Sequence, residues 1–190
     1  MNKALFFVLG ILFPCMVWAD VSFTSGKKVK VNLPVEEAEV VHTAFDIFKK
    51  DFQRVFGAEV VEAKKAHVII GTIGLGSEAE KKLSSQTLNE LKSHREAFAL
   101  QVKEGKIYIV GSDKRGTAYG ILELSRLIGV SPWEWWADSP VKQKDTFTLK
   151  EVNDASLVSL LKRIIYKSAY CINCEGCEVE CPTGALSVYP

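Results

Sequence analysis

The chain contains 190 residues, of which 47% are hydrophobic and 25% are charged, and its formal net charge is +1. That length is typical of one domain of ordinary size with a small appendage. The composition allows a buried core and excludes an intrinsically disordered chain. The near-balance of 24 basic and 23 acidic residues gives no electrostatic basis for binding nucleic acid or an anionic membrane surface.

The N-terminus predicts export. Lys3 is followed by an apolar run over residues 4–18 and then by the small residue Ala19. This is the pattern of a secretory signal peptide, here residues 1–19. The alternative is a membrane anchor, but the run is short for a transmembrane helix, so no stable membrane span is expected. The sequence therefore predicts a secreted or periplasmic protein.

The segment that follows the predicted signal peptide shows hydrophobic periodicity. The stretch "KKVKVNL" alternates with a period of two and predicts a half-buried strand. Residues 36–56 carry apolar side chains at helical spacing and predict a long helix that ends at Gly57. The apolar stripe of this helix consists of Val41, Phe45, Phe48, Phe52 and Val55. The stretches "AEVVEA" and "AHVIIGT" predict two strands, and the second is expected to be central because it is continuously apolar.

A hairpin and a second long helix are predicted next. Residues 77–96 are polar and predict a short helix plus a loop, whereas "EAFALQVKEGKIYIVGSD" alternates on both sides of Glu104-Gly105 and predicts a hairpin. Asp113 is expected to cap a helix that ends at Gly129. The residues predicted to face inward are Ala118, Ile121, Leu122, Ser125 and Ile128. This order of elements predicts an α/β (α+β) sandwich, a mixed sheet with two long helices.

The C-terminal part differs from the body in composition. Residues 145–153 are polar and predict a linker or a fusion junction after a body that spans residues 20–144. Residues 154–170 have an apolar stripe and predict a third helix. That helix leads into a small cysteine-rich loop, and residues 154–190 are expected to form a separate module.

The body resembles a known accessory domain. The block "VGSDKRGTAYGILELSRLIGVSPWEWWADSPVKQK", preceded by "VHTAFDIFKKDFQRVFG" and "HVIIGTIG", resembles the N-terminal domain of glycoside hydrolase family 115, the exported xylan α-1,2-glucuronidases. The resemblance covers residues 20–144. It implies an accessory α/β layer ahead of a (β/α)8 barrel that holds the catalytic carboxylates. A barrel of about 250 residues does not fit after residue 144, so we expect no catalytic residue here, and whether the chain acts as an enzyme stays open.

Three tryptophans could bind carbohydrate. Trp133, Trp135 and Trp136 lie close together near the end of the predicted body, and flat indole rings can stack on sugar rings. The alternative is that they pack against a neighbouring domain. The expected partners are accordingly a glucuronoxylan oligosaccharide or the missing barrel domain. If no partner covers these indoles, they form an exposed apolar patch.

The start of the second long helix could hold an anion. Residues 113–116 carry an aspartate, two basic residues and a glycine, and helix N-termini favour phosphate and carboxylate groups. The alternative is simply a capped helix start after a strand. His42, His67 and His94 are scattered over a helix, a strand and a polar loop, without the spacing of metal ligands.

The cysteine-rich tail predicts an iron–sulfur cluster. Within "CINCEGCEVECPTGAL", Cys171, Cys174, Cys177 and Cys181 have the spacing C-x2-C-x2-C-x3-C followed by proline, as in bacterial-type [4Fe–4S] ferredoxins, which this block resembles. Thiolates are the soft, anionic ligands that such a cluster needs. Zinc is an alternative, although it usually takes two separated cysteine pairs. Disulfides are another, although this spacing forces tight loops.

The predicted signal peptide and the predicted iron–sulfur cluster imply different cellular compartments. In two-cluster ferredoxins the fourth cysteine of a run binds the other cluster, so the module around Cys181 is expected to be truncated. A chain exported unfolded cannot carry a cluster, which would place a functional cluster in the cytoplasm with a redox partner. We therefore interpret the sequence as two gene fragments joined near residues 141–153. The hypotheses are an accessory domain, an electron-transfer module, or a nonfunctional chimera.

Overall fold

The computed structural model describes residues 20–132, residue 134 and residues 140–150. The predicted signal peptide, third helix and cysteine loop lie outside these residues. The described part contains seven strands and four helices. They are β1 (Val21–Thr24), β2 (Val29–Asn32), α1 (Glu39–Phe56), β3 (Val60–Glu62), β4 (Val68–Thr72), α2 (Glu78–Lys82), α3 (Ser85–Ser93), β5 (Phe98–Lys103), β6 (Lys106–Gly111), α4 (Lys114–Ile128) and β7 (Thr146–Leu149).

A mixed five-stranded sheet forms the centre of the domain. Its strand order is β3-β2-β4-β6-β5. β2, β3, β4 and β6 run parallel, and β5 pairs antiparallel with β6. Every residue of β4 is buried, which confirms its predicted central position. The predicted fold class, a mixed sheet with two long helices packed on it, is confirmed.

The first long helix forms as its periodicity predicts. The residues of the predicted stripe are all buried, and Gly57 ends α1 with φ 62°, in the left-handed region that favours glycine. The start differs from the prediction by three residues. Ala38 is still extended, because the side chain of Glu37 just before it is held by β4 rather than pointing to solvent.

The second long helix differs from the prediction in which face is buried. Asp113 caps α4 and Gly129 ends it, both as predicted. Leu122, however, is 37% exposed, whereas Leu124 is 1% exposed. The assignment of Leu122 to the core is therefore wrong. The buried face of α4 is centred on Ile121 and Leu124, because α4 contacts both the sheet and α1, so its core-facing side is rotated away from Leu122.

The opposite face of the sheet is covered by two short helices rather than by one helix and a loop. Ser77 caps α2 and Ser84 caps α3, each accepting a hydrogen bond from a backbone N–H three residues on. Leu91 of α3 is fully buried. It packs in a second core cluster with Ile69 and Tyr108, whose side chains leave the sheet on this face. The few apolar residues in this polar segment are enough to anchor it.

The hairpin has the predicted turn. Glu104 and Gly105 both adopt positive φ, 54° and 69°, as two-residue hairpin turns require. Both β5 and β6 are buried on both faces. The reason is that helices cover the two sides of the sheet, so the polar members of the alternating pattern are buried too.

Part of the predicted linker is a strand. Within residues 145–153, β7 pairs antiparallel with β1, in the register Val21 with Leu149 and Phe23 with Phe147. Phe23 packs edge-on against Phe52 of α1, with ring centroids 5.4 Å apart. The two-stranded ribbon therefore closes the main core instead of leading away from it.

None of the helices in the described part of the chain is long and apolar enough to cross a membrane.

Candidate functional site

The predicted ligands of the iron–sulfur cluster and the predicted sugar-binding indoles lie outside the described residues. They are Cys171, Cys174, Cys177, Cys181, Trp133, Trp135 and Trp136. Of the segment that holds the tryptophans, Pro132 and Glu134 are described, and both line a groove on the domain surface. We therefore build the candidate site from that groove and from the polar clusters around it.

The N-terminus of α4 is filled by its own cap. One carboxylate oxygen of Asp113 accepts hydrogen bonds from the backbone N–H groups of Arg115 at 3.0 Å and Gly116 at 2.9 Å. The other oxygen accepts from the N–H of Glu96 at 2.8 Å. The exposed guanidinium of Arg115 is held by the carboxylate of Glu96 at 2.7 Å. The structure thus confirms the capped helix start, and the donors that an anion would use are already engaged.

The electrostatics of this cap agree with its geometry. Partial burial opposes ionisation of Asp113, but the N–H groups of Gly116, Glu96 and Arg115 together outweigh it and lower the pKa of Asp113 below its ordinary value. Hydrogen bonds from backbone donors stabilise the charged form of a carboxyl group. Asp113 is therefore a structural anion at this helix start.

A buried polar cluster closes the carboxyl end of β4. The carboxylate of Glu37 accepts hydrogen bonds from the backbone N–H of Thr72 at 2.8 Å and from the Thr72 hydroxyl at 2.7 Å. That hydroxyl also lies 2.7 Å from the hydroxyl of Thr117 in the first turn of α4. The sequence analysis missed this cluster. A glutamate before a helix is common, and only the tertiary structure brings it to a strand that lies 35 residues away.

The same edge of the sheet is closely packed. In open parallel sheets, ligands commonly bind beyond the carboxyl ends of the strands. Here a Cβ atom on Gly71 would lie 2.0 Å from the hydroxyl oxygen of Ser77, and one on Gly111 would lie 2.1 Å from the backbone nitrogen of Thr117. The loops and the start of α4 therefore occupy the space where a ligand would sit.

A surface groove runs between α1 and α4. Its volume is about 710 Å³. Apolar side chains from both helices and from the segment after α4 line it, together with several charged residues. The lining includes Ile47, Asp51, Arg54, Tyr119, Leu122 and Glu134. The sequence analysis missed this groove, although Ile47 stands beside the predicted stripe of α1 and could have signalled a second apolar face.

Five of the six charged residues that line the groove form ion pairs with one another. Arg54 donates to both carboxylate oxygens of Glu134, one of these bonds being 3.0 Å long, and lies 3.7 Å from Asp51. Arg126 donates two hydrogen bonds to Glu123, at 2.6 and 2.5 Å. Burial raises the pKa of Asp51 above its ordinary value, against the opposing effects of the Ser125 hydroxyl and Arg54.

Two of the histidines form hydrogen bonds within the domain. His67 accepts a weak hydrogen bond from the N–H of Lys30 at 3.4 Å, and His94 contacts Ser93 at 2.9 Å. Among residues 20–132, 134 and 140–150, no group of three or more histidine, cysteine, aspartate or glutamate residues could hold a metal ion.

The domain is similar to part of a solved glycoside hydrolase. That structure is a family GH115 4-O-methyl-α-glucuronidase with specificity for decorated arabinogalactans. The match has 42% identity and a TM-score of 0.61, and it covers 68% of this chain but 17% of that chain. The body is thus related to a portion of a family 115 glycoside hydrolase, as the sequence resemblance predicts. The ferredoxin-type resemblance stays a prediction.

Two further solved structures have lower sequence identity and lower TM-scores. A GH20 exo-β-N-acetylglucosaminidase from Vibrio harveyi matches 70% of this chain and 16% of its own, with 14% identity and a TM-score of 0.40. A β-N-acetylhexosaminidase from Bacteroides fragilis matches 70% of this chain and 22% of its own, with 13% identity and a TM-score of 0.35. No protein-family profile and no curated protein matches the chain.

Proposed function

We propose that residues 20–149 form a non-catalytic N-terminal domain of an exported xylan α-glucuronidase-like glycoside hydrolase. The observation that carries this proposal is the 42% identity to a family GH115 glucuronidase over 68% of the chain. Because the chain spans 17% of that structure, the activity of the whole enzyme requires residues beyond the matched part. The role of the domain is to support a catalytic barrel and to contribute to substrate binding.

The chemistry of the buried carboxylates supports a non-catalytic role. Glycosidases need two carboxyl groups on either side of the scissile bond, about 5 to 10 Å apart. In the described part of the chain the buried carboxylates are Glu37, Asp51 and Glu123. Glu37 is engaged by Thr72, Glu123 by Arg126, and Asp51 lies 3.7 Å from Arg54. Each of the three therefore has a partner within the domain.

An activity assay with the chain alone tests the catalytic part of the proposal. The substrates are glucuronoxylan and an arabinogalactan decorated with 4-O-methylglucuronate, and the measurement is released uronic acid. We expect no release above a heat-denatured control. Release that depends on the folded chain contradicts the proposal, because it requires a catalytic carboxylate pair within these 190 residues.

Affinity electrophoresis tests the contribution to substrate binding. We expect glucuronoxylan oligosaccharides to bind weakly and the Trp135→Ala variant to lose this binding, since an indole stacks on the face of a sugar ring. Leu75→Ala serves as a matched control, because Leu75 is an exposed apolar residue outside the groove. No binding by the unsubstituted chain at millimolar oligosaccharide rejects the carbohydrate-binding role and leaves barrel packing as the role of the tryptophans.

The cysteine motif favours a second candidate function, that of an iron–sulfur electron-transfer protein. The donor set of Cys171, Cys174, Cys177 and Cys181 suits a [4Fe–4S] cluster, because thiolates bind iron as soft anionic ligands. Anaerobic reconstitution followed by iron and sulfide analysis tests it, with Cys174→Ser as the control. Absence of stoichiometric iron and sulfide rejects this function. Formation of the cluster makes a cytoplasmic location and a redox partner the expected setting.

Export is part of the first proposal. Cleavage after Ala19 leaves Asp20 as the first residue of the mature chain, directly before β1. N-terminal sequencing of protein recovered from a bacterial periplasm is expected to begin at Asp20. Recovery of only the uncleaved chain from the cytoplasm contradicts it.

A further inference from the structure

A small pocket, here called the β1–β2 pocket, lies where β1 and the turn after it meet the start of β2. Its volume is about 160 Å³, below the roughly 300 Å³ at which sites for drug-sized ligands begin. Its apolar part comes from β1 and Val29. Its polar groups are two hydroxyls, two ammonium groups and an imidazole, from Ser22, Thr24, Lys27, Lys28 and His67. A pocket of this size and lining suits a single sugar residue, which combines an apolar ring face with polar substituents.

The ionisable residues that line the β1–β2 pocket are all basic. The ammonium group of Lys28 pairs with the carboxylate of Glu59 at 2.7 Å. Among residues 20–132, 134 and 140–150, no carboxylate lies within ion-pair distance of Lys27. A cleft lined by charges of one sign concentrates ligands of the opposite sign. The ammonium group of Lys27 is therefore available to an anionic group that enters the pocket.

His67 adds a hydrogen-bond donor whose position is set by β2. Its backbone N–H donates to the carbonyl oxygen of Lys30 at 2.9 Å, and its ring nitrogen Nδ1 accepts from the backbone N–H of Lys30 at 3.4 Å. Because Nδ1 is the acceptor, the proton of the neutral ring is on Nε2. The Nε2–H group can donate to a ligand, and a donor beside an ammonium group suits the two oxygens of a carboxylate.

Further lysines continue this basic surface along β2. The side chain of Lys30 is exposed on β2, and Lys64 and Lys65 are exposed in the loop between β3 and β4. That loop runs beside β2, since the carbonyl oxygen of Lys64 accepts a hydrogen bond from the side chain of Asn32 at 3.3 Å. The balanced net charge of the whole chain conceals this local excess of positive charge. A polymer that carries carboxylates at intervals can contact the pocket and this strip together.

We infer that the β1–β2 pocket binds a uronate residue of an acidic polysaccharide. This inference rests on the proposed function, which supplies a glucuronate-bearing polymer as the ligand. Lys27 pairs with the carboxylate, His67 donates to it from Nε2, and the apolar side of the pocket contacts the sugar ring. The groove between α1 and α4 is less suited to this ligand, because carboxylates of the domain already engage its two guanidinium groups.

Nuclear magnetic resonance titration of the isotope-labelled full chain tests the inference. The probe is methyl α-D-glucuronoside, and the matched neutral ligand is methyl α-D-glucoside, which has a CH2OH group in place of the carboxylate. We expect the glucuronoside to shift the amide signals of β1, Lys28 and His67, and the glucoside to shift them at least fivefold less. Because salt screens exposed charges, affinity for the glucuronoside is expected to fall between about 20 and about 300 mM sodium chloride.

Variants identify the groups that bind the carboxylate. The double variant Lys27→Gln/His67→Gln is expected to bind the glucuronoside at least fivefold more weakly than the unsubstituted chain. Lys92→Gln, the same substitution at an exposed lysine of α3, is expected to stay within twofold. Circular dichroism checks that each variant is folded, and the substituted side chains are all exposed.

Several results would overturn the inference. Equal shifts with the two glycosides mean that the carboxylate is not recognised, and shifts confined to signals outside the β1–β2 pocket mean that the ligand binds elsewhere. If inorganic phosphate shifts the same signals at lower concentration than the glucuronoside, the pocket is a general anion site and the assignment to a uronate fails. Affinity electrophoresis with glucuronoxylan oligosaccharides reads the proposed function separately. Binding that Trp135→Ala abolishes and the double variant retains overturns the inference and leaves the proposed function standing.

Discussion

Removal of the Asp113 carboxylate tests whether the start of α4 is held as its geometry indicates. In the Asp113→Ala variant, the backbone N–H groups of Arg115, Gly116 and Glu96 lose their acceptor. In Asp113→Asn, one side-chain oxygen can still accept from Arg115 and Gly116, but an NH2 group replaces the oxygen that faces Glu96. The two variants therefore separate the helix cap from the connection to the preceding loop.

The magnitude follows from the three hydrogen bonds. Loss of an N-cap costs about 1 kcal/mol and up to about 2 kcal/mol. Glu96 is exposed, so water can replace its bond, and the loss adds about 0.5 to 1 kcal/mol. We expect Asp113→Ala to lower the free energy of unfolding by about 2 kcal/mol. Because Asn caps helices nearly as well as Asp, Asp113→Asn is expected to cost about 1 kcal/mol.

Urea unfolding of residues 20–150, followed by circular dichroism, provides the assay. The pKa of Asp113 is lowered in the folded domain, so its charge stabilises the fold at every pH above the unfolded value of about 3.9. The difference between the unsubstituted domain and Asp113→Asn is therefore expected to be constant from about pH 5 to 7. It should shrink as the pH falls below about 4 towards the folded pKa of Asp113.

Asp46→Asn is the matched control, because it removes an exposed carboxylate that pairs with Lys49 of the same helix. An exposed ion pair of this kind contributes little to stability, because water and salt screen it. The reasoning is refuted if Asp113→Ala lies within about 0.5 kcal/mol of the unsubstituted domain at pH 7, or if its effect equals that of Asp46→Asn. Either result means that water satisfies the backbone N–H groups at the start of α4 as well as the Asp113 carboxylate does.

Three further perturbations can be measured by the same urea unfolding. Gly111→Ala places a Cβ atom 2.1 Å from a backbone nitrogen of α4, and we expect a loss of about 1 to 3 kcal/mol or more; an unchanged midpoint means that α4 can shift. Leu124→Ala is expected to lower the free energy of unfolding by about 2 to 5 kcal/mol, and Leu122→Ala by less than about 1 kcal/mol. A larger loss for Leu122→Ala would contradict the finding that Leu124 is the buried one of the two. Residues 20–144 are expected to be about 2 to 4 kcal/mol less stable than residues 20–150, and equal midpoints would show that β7 contributes nothing.

The long helices could be predicted from sequence because their signal is local. The stripe of α1 repeats every three or four residues, and Gly57 follows it directly. Asp113 and Gly129 mark the two ends of α4 in the same way. The burial of Leu124 instead of Leu122 depends on how α4 contacts α1 and the sheet. Leu122 follows Ala118 by four residues and Leu124 follows Ile121 by three, so both fit a helical stripe and periodicity alone does not separate them.

The β1–β7 ribbon could not be predicted because its pairing is not local. Ser22 and Thr148 face each other across the ribbon at 2.8 Å, although 126 residues separate them in sequence. Each strand has four residues, which is too short for an alternating pattern to stand out. The groove was missed for a related reason. Its walls come from two helices and from the segment after α4, so it exists only once these elements pack together.

The position of β7 changes where a junction between two gene fragments can fall. The sequence analysis places the junction near residues 141–153, but Thr146–Leu149 is in register with β1. Phe147 and Leu149 also pack against the main core. A strand that completes the core of the body belongs to the body, so a junction is expected after Leu149, between the ribbon and the predicted third helix. A single DNA read across codons 130 to 175 tests this expectation. Continuity with a glucuronidase-like sequence that stops before codon 146 would mean that β7 comes from the second fragment and pairs with β1 by chance.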